Sequence, residues 1–377
     1  MSTETVNGYC IVGDWTTAGG GMGKWAFAEK GGKSYFIKQF LRPTYPLPHG
    51  PGSEATKKKL RKDCEAFEAH HKALLKSLSG LAGDGGHLII TREFFRVEAK
   101  YYKVTDRIET SSLSVSEIAS IEPPRNGVIL ALTIAHSLEI LHRQGIVHGD
   151  LKPANILPKL ASKDLLVAKL IDFDDSYREG DPPPPDEVVG DLTYYSPELV
   201  EYIQDEGARE SLGCASDIFA LGIVLCQYFS GELPEIIPLK GESKPARNVA
   251  QAVIRGQLIH TGLADSWPDM NELLLSMMQR NPADRPPIGK VTESLRRIRD
   301  LESRDARTKA DVTDASKGKS APVSDPSVSR LKGKGLLMGR STSAEAAKPS
   351  ATPATGEPSS TASALRGRLV SPRKDST

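Results

Sequence analysis

The chain has little of what marks secreted, membrane-spanning or metal-cluster proteins. It has four cysteines among 377 residues, and they are scattered, with no C-x-x-C pair. Scattered cysteines are typical of a reducing compartment and imply neither a disulfide framework nor a zinc site. No apolar run approaches the roughly 18 residues that a membrane span needs, and the N-terminus shows no signal-peptide pattern. These absences predict a cytoplasmic protein without a membrane span.

Charges of the two signs nearly balance, but they are unevenly distributed. From Ser303 onward there are 14 lysine and arginine residues against 7 acidic ones, whereas the preceding part has 35 basic and 41 acidic residues. The C-terminal segment also lacks aromatic residues and is rich in serine, threonine and proline. Such a segment cannot bury enough apolar surface to offset its ordering entropy. We therefore predict a disordered basic tail over residues 302–377, and nothing in the pattern points to nucleic acid.

Polar residues suited to phosphate chemistry lie on two short segments between apolar runs. The first, from His148 to Asn155, is His-Gly-Asp-Leu-Lys-Pro-Ala-Asn, and Ile-Asp-Phe-Asp follows from Ile171. Together they hold carboxylates at Asp150 and Asp172 and an amide at Asn155. Because Mg²⁺ prefers hard oxygen ligands and binds through one or two carboxylates plus substrate phosphates, these segments indicate metal and phosphate chemistry on a rigid scaffold.

A glycine cluster lies between predicted strands near the N-terminus. The segment Ala18-Gly19-Gly20-Gly21-Met22-Gly23 matches G-x-G-x-x-G at Gly20 and Gly23, with alanine in the first place. Glycine lets backbone N–H groups approach phosphate oxygens, although a glycine-rich hairpin is more often just a turn. Further along come a predicted strand that ends at Lys38 and a predicted helix over residues 56–78 with apolar residues at helical spacing.

These motifs resemble, in the same order, those of the protein kinase family. The first polar segment resembles the catalytic loop H-R-D-L-x-x-x-N, with HGD in place of HRD, and the second resembles D-F-G, with DFD in its place. Ser196-Pro197-Glu198 resembles the A-P-E segment, Asp217 begins a D-x-W-x-x-G-like pattern, and Arg285 lies in the late motif whose arginine pairs with the A-P-E glutamate. The chain therefore resembles the eukaryotic-like, bacterial-type serine/threonine protein kinases over roughly residues 7–301.

The resemblance implies an α+β, bilobal, protein-kinase-like fold with the disordered tail appended. A small β-rich N-lobe would occupy residues 7–108 and a larger helical C-lobe residues 109–301, with ATP in the cleft between them. Glu198 and Arg285 would form a buried structural ion pair. Asp217 would brace the backbone of the catalytic loop.

The resemblance also implies a role for each residue of the catalytic segments. Asp150 would be the catalytic base, and Lys152 would neutralise charge on the transferred phosphoryl group. Asn155 and Asp172 would be the Mg²⁺ ligands, and Lys38 would hold the α- and β-phosphates of ATP. Asp-Leu-Lys-Pro at this place is the form typical of kinases that act on serine and threonine.

The remaining ATP contacts are implied by position in the motifs. The glycine loop would cover the phosphates, backbone groups at the hinge would bind adenine, and a helical glutamate would pair with Lys38. For that glutamate we prefer Glu68 to Glu65, and a solvated helical glutamate is about as common an outcome for either one. The residues implied are Gly20, Gly21, Gly23, Glu68, Asp106 and Ile108.

Three departures from the family pattern bear on activity. Gly149 replaces the arginine that normally receives a phosphate on the activation loop, and Ser176 and Tyr177 are the only acceptors between residues 173 and 189. We therefore expect activity without loop phosphorylation. Asp174 replaces the glycine of D-F-G, and Asp191 replaces a threonine that usually contacts the catalytic aspartate.

Three functions remain open from the sequence. The first is ATP-dependent phosphorylation of protein serine and threonine, with the chain's own tail among the possible substrates. The second is a small-molecule phosphotransferase of the aminoglycoside or choline type, because His-Gly-Asp with a downstream Ile-Asp-x-x-Asp resembles those enzymes too. The third is a pseudokinase scaffold without turnover. The segment Ser196-Pro197-Glu198 favours the first, since the small-molecule enzymes generally lack it.

Overall fold

A computed structural model describes residues 4–17, 23–81, 86–108, 113–121, 125–162, 165–204, 207–241 and 246–317. These residues belong to one compact unit, Met1–Lys319. Two residues of the predicted glycine loop, Gly20 and Gly21, and the predicted tail beyond Lys317 lie outside the described residues.

An antiparallel sheet of six strands forms the first lobe. The strands β1 to β6 are Thr5–Val6, Tyr9–Thr16, Gly23–Lys30, Lys33–Phe40, Thr91–Val97 and Lys100–Asp106. They lie side by side in the order β1-β2-β3-β4-β6-β5. Because side chains alternate across a strand, one face buries a continuous core that includes Tyr9, Ile11, Ala26, Ala28, Ile37 and Val104.

One long helix, α1 (Glu54–Ser79), follows the first four strands. Ser53 caps its N-terminus by accepting the backbone N–H of Thr56 at 3.2 Å, which satisfies a donor that the helix cannot pair internally. The predicted apolar stripe turns toward the sheet, where the ring of Phe67 lies 5.1 Å from that of Phe40 on β4. The helix predicted over residues 56–78 is confirmed.

The second lobe is mainly helical and is built around a buried helix, α5. Its helices α2 to α8 are Val115–Ala119, Arg125–His142, Pro197–Ile203, Cys214–Ser230, Val249–Ile254, Pro268–Met277 and Ile288–Lys317. Its short strands β7 to β12 are Ile146–Val147, Ile156–Ser162, Leu165–Leu170, Tyr177–Arg178, Glu235–Ile237 and Leu258–His260. Twelve of the 17 residues of α5 are buried, which is the pattern of a central core helix. The predicted α+β fold, with a β-rich lobe before a helical one, is confirmed.

Helix α8 alters the predicted start of the tail. Its backbone continues to Lys317, so the boundary predicted at residue 301 lies inside a helix. Between Glu302 and Lys317, alanine, arginine, lysine and glutamate make up eight of the 16 residues, and these residue types favour a helix even without an apolar face to bury. The disorder predicted for the tail and its exact start stay predictions.

Within the described ranges, no helix is both long and apolar enough to cross a membrane.

Candidate active site

A buried carboxylate at the start of α5 holds the backbone of the catalytic loop. Asp217 accepts the N–H groups of His148 at 2.8 Å and Gly149 at 3.1 Å. It also contacts the imidazole of His142 at 2.8 Å. Burial alone would raise the pKa of Asp217, but the contacts with His142 and His148 hold it below its usual value. The predicted brace is confirmed.

The catalytic loop brings Asp150, Lys152 and Asn155 into mutual contact. The Lys152 ammonium lies 2.6 Å from Oδ2 of Asp150, and the Asn155 amide donates to the same oxygen at 2.9 Å and to the Asp150 carbonyl at 2.8 Å. Asn155 is buried, and its own carbonyl accepts the N–H of Ile171. The three side chains therefore stand in one fixed arrangement.

Asp172, one of the predicted Mg²⁺ ligands, lies in a cluster of two aspartates and two lysines. Lys38 on β4 contacts both oxygens of Asp172 at 3.2 Å and Asp174 at 2.7 Å. Lys103 on β6 contacts Asp172 at 2.8 Å and Asp174 at 2.6 Å. Asp172 adopts φ 60°, a left-handed conformation that a non-glycine residue keeps only where its surroundings hold it. The carboxylate of Asp172 is held by the ammonium groups of Lys38 and Lys103.

The charges of this cluster support one another. Burial disfavours the ammonium of Lys38, but Asp174 and Asp172 raise its pKa above the usual value. Burial likewise disfavours ionised Asp174, yet Lys103 and Lys38 hold its pKa well below the usual range. Neighbouring His71 is buried, which lowers its pKa to about 4, so its ring is neutral near pH 7. The cluster therefore contains two positive and two negative groups.

The predicted ion pair between Lys38 and Glu68 is not formed in this structure. Glu68 accepts the hydroxyl of Tyr101 at 2.8 Å and the ammonium of Lys72 at 3.0 Å. Lys38 instead contacts the two aspartates. Asp174, absent from the family pattern, supplies a carboxylate 2.7 Å from the Lys38 ammonium.

Gly149 is explained by its backbone. It has φ 82°, and a Cβ at this position would lie 2.3 Å from the carbonyl oxygen of Asp175. Such a contact is far inside van der Waals distance, and a positive φ already favours glycine. The backbone of Asp175 thus occupies the space that a side chain at residue 149 would need.

The other altered or acceptor positions have local structural roles. Asp191 is exposed, and its Oδ1 accepts the backbone N–H of Thr193 at 2.9 Å. Ser176 is fully buried and donates to the carbonyl of His148 at 2.9 Å, and Tyr177 is also buried. The two hydroxyls between residues 173 and 189 therefore serve packing around the catalytic loop.

Gly23, Asp106 and Ile108 are the residues of the predicted ATP-binding edge that lie in the described ranges. Gly23 begins β3, and a Cβ there would lie 2.8 Å from the carbonyl of Gln39 and 3.2 Å from the Lys38 side chain. Glycine at this position thus permits close packing beside Lys38. Asp106 ends β6 and forms a two-point ion pair with Arg92, 2.9 and 2.5 Å. The adenine contacts expected at Asp106 and Ile108 stay a prediction.

Farther from the cleft, Glu198 and Arg285 form the expected ion pair. Two contacts of 2.7 Å join the carboxylate and the guanidinium. The Arg285 side chain is fully buried and also donates to the carbonyls of Gln279, Ala215 and Arg280. The pair ties the segment after the activation loop to α5 and to the loop before α8.

Truncation of this pair has a predictable cost. We expect Arg285→Ala to lower the free energy of unfolding by about 3–5 kcal/mol, because it leaves the Glu198 carboxylate buried and unpaired. The matched control is Arg280→Ala, which removes an exposed pair with Glu201 and should cost no more than about 1 kcal/mol. Urea unfolding of both variants measures the difference. Equal losses would contradict a special role for the buried pair.

Asp175, the aspartate that follows Asp172 and Asp174, makes the stability of the fold depend on pH. Burial, with smaller contributions from Asp174, Asp150 and Asp172, raises the pKa of Asp175 to about 7 from an ordinary value of 3.8. The folded state therefore holds this proton more tightly than the unfolded chain. The associated stability is present below about pH 4 and is lost as the pH rises through about 7.

We expect Asp175→Asn to remove the loss of stability that the wild type shows as the pH rises through about 7. The variant should exceed the wild type in unfolding free energy by on the order of 2 kcal/mol at pH 8, and this advantage should shrink as the pH falls to 5. Urea unfolding at the two pH values measures it. Asp265→Asn, at an exposed position, is the control. A constant difference between pH 5 and 8 would contradict the raised pKa.

Sequence reasoning missed several residues of the cleft. Lys103 has only 4% of its surface exposed, and its signal was a lysine between Tyr102 and Val104 in the strand that leads to the predicted hinge. His70, whose imidazole lies 3.1 Å from the carbonyl of Asp174, and His71 gave no motif. Their roles depend on which face of α1 meets the cleft.

The chemistry of these groups fits a nucleotide bound with Mg²⁺. Because the Asn155 amide nitrogen is used by Asp150, its oxygen is the atom suited to a hard cation, together with the carboxylate of Asp172. The two ammonium groups of Lys38 and Lys103 suit phosphate oxygens. Oxygen donors and cations thus meet at one cleft.

Comparison with known proteins gives one family and several relatives. Residues 55–295 match the model described as the protein kinase domain. A probable serine/threonine-protein kinase of Clostridium perfringens is 26% identical over 193 residues, 49% of this chain and 25% of that protein. The probable kinase kinX of Dictyostelium discoideum is 24% identical over 285 residues, 74% and 23%. PknB of Mycolicibacterium smegmatis is 30% identical over 168 residues, 43% and 24%. The chain spans about a quarter of the length of these relatives.

Proposed function

This chain belongs to the protein kinase domain family, and we propose that it transfers the γ-phosphoryl group of ATP to serine and threonine hydroxyls of proteins. The observation that carries the proposal is the arrangement of Asp150, Lys152 and Asn155 within hydrogen-bond distance of one another, in a chain that also places Lys38 against Asp172. Relatives named as serine/threonine kinases support the same substrate class.

Each residue then has a specific task. Asp150 accepts the proton of the attacking hydroxyl and orients it, while Lys152 stabilises the negative charge of the transferred group. Lys38 binds the α- and β-phosphates, and Asn155 and Asp172 hold the divalent cation. Bound Mg²⁺ would neutralise phosphate charge in the transition state. Gly20, Gly21 and Gly23 are proposed to cover the phosphates, with adenine at the backbone of Asp106 and Ile108.

The absence of an exposed hydroxyl in the loop supports activity without loop phosphorylation. Ser176 and Tyr177 are buried, and Gly149 offers no cation to receive a phosphate. We further propose that the substrates are proteins and that the chain's own tail is one candidate substrate. We also propose a cytoplasmic location.

A comparison of acceptors tests the substrate class. Purified protein is incubated with ATP and Mg²⁺, and ATP consumption is measured with a basic protein acceptor, with small hydroxyl acceptors such as choline and an aminoglycoside, and with none. We expect consumption to rise only with the protein acceptor. A rise with a small hydroxyl acceptor alone would favour the small-molecule reaction, and ATP binding without consumption would favour a scaffold.

A further inference from the structure

Two lysines face the candidate cleft from neighbouring strands. Lys38 on β4 is paired in register with Lys103 on β6, so both side chains leave the same face of the sheet. Lys103 is the more buried, with 5% of its side chain exposed against 17% for Lys38. A buried ammonium is stable only when paired, and its partners are Asp172 and Asp174.

Asp174 joins the two lysines. One of its oxygens contacts Lys38 at 2.7 Å and the other contacts Lys103 at 2.6 Å, and its side chain is 13% exposed. These are the shorter of the aspartate contacts that each lysine makes. His70 of α1 contacts the Asp174 carbonyl. The helix therefore helps to hold Asp174 and makes no direct ion pair with Lys38.

The helix carboxylate is committed elsewhere. Glu68 contacts Tyr101, Lys72 and Arg96, while the cleft-facing position one turn later is His71, which is neutral. Hence α1 brings no negative charge to Lys38, and Asp174 brings one. Removal of either Asp174 or Lys103 alone would leave the cluster with an unbalanced charge.

We propose that Asp174 is the positioning residue for Lys38 and that Lys103 is the counter-charge that lets Asp174 be buried there. This positioning of Lys38 rests on the proposed function only where it is said to affect the binding of ATP. The Asp174–Lys103 pair takes the place of the helical glutamate, so placement of Lys38 is built into the sheet and the segment after Asp172 instead of depending on a carboxylate from α1.

Unfolding measurements test the contacts without any activity. Double-mutant cycles are made for Lys38→Met with Asp174→Asn and for Lys38→Met with Glu68→Gln. We expect the first pair to be coupled, with at least a tenfold non-additive change in the unfolding constant, and the second to be additive within about twofold. Coupling to Glu68 without coupling to Asp174 would overturn the proposal.

Kinetics separate positioning from packing. Asp174→Asn combined with Lys103→Met removes one charge of each sign, so the double variant should recover stability that each single change loses. We nevertheless expect its KM for ATP to rise about tenfold, on the order of 1.4 kcal/mol of lost binding, with a smaller change in kcat, because Lys38 has lost its anchor. Asp174→Glu keeps a carboxylate at this position, so its affinity for ATP should lie between that of the wild type and that of the asparagine variant.

The outcomes distinguish the two levels of inference. A stable double variant with the wild-type KM would show that Asp174 only fills space, and it would overturn the positioning role. If the wild type transfers no phosphate, the proposed function fails. The positioning role is then tested by comparing the Kd of a fluorescent ATP analogue between the wild type and the double variant. If the analogue does not bind, the unfolding cycles alone decide.

Discussion

Replacing Asp150 by asparagine is expected to lower kcat for phosphoryl transfer by about a thousandfold, within the range that a general base contributes. An asparagine keeps the shape of the side chain and can still meet Lys152 and Asn155, but it cannot accept the proton of the substrate hydroxyl. The KM for ATP should change little, because Asp150 makes its contacts with the catalytic loop and not with Lys38. Steady-state kinetics with a protein acceptor measures both constants.

The control for this change is Asp300→Asn. Asp300 lies on α8 with 60% of its side chain exposed and pairs with neighbouring Arg299. Loss of its charge should leave kcat within about twofold. If Asp150→Asn kept more than a tenth of the wild-type kcat, Asp150 would not be the catalytic base.

Restoring the family's arginine at residue 149 is expected to be severely destabilising. Gly149→Arg must adopt a positive φ and place a Cβ against the Asp175 carbonyl, for which the distance is 2.3 Å. The conformation alone costs about 1–2 kcal/mol, and relief of the overlap requires the backbone after Asp174 to move. We expect a total loss of at least about 4 kcal/mol in unfolding free energy, together with loss of transfer activity.

Gly145 provides a matched control for the backbone. It has φ 63°, and a Cβ there would meet nothing within 4 Å. Gly145→Ala should therefore show the conformational cost alone, about 1–2 kcal/mol. Urea unfolding of Gly149→Ala, Gly149→Arg and Gly145→Ala separates the two causes. If Gly149→Ala costs no more than Gly145→Ala, the close approach of Asp175 does not explain the glycine.

Motifs that combine a local pattern with a fixed spacing were predictable from the sequence. The strands before and after the glycine cluster, the long helix α1, and the roles of Asp217 and of the Glu198–Arg285 pair follow from short segments whose neighbours are close in the chain or from the order of the family's motifs. The contacts of Asp217 with the catalytic loop and the two-point ion pair confirm those assignments.

Contacts that depend on three-dimensional competition were not predictable. Glu68 and Asp174 are both carboxylates that could pair with Lys38, and the sequence does not show which is nearer. Lys103 is 65 positions from Lys38 along the chain but directly opposite it in the sheet. The space around Gly149 is likewise set by residues more than 20 positions away. Such choices are made by packing, not by local pattern.

The most direct test of the central claim is transfer of label from γ-labelled ATP to protein. The purified chain is incubated with Mg²⁺ and a basic acceptor protein, and the labelled amino acids are identified beside an Asp150→Asn sample. The account predicts phosphoserine or phosphothreonine in the wild type and almost none in the variant. Label that persists in the variant, or no protein label with intact ATP binding, would contradict it.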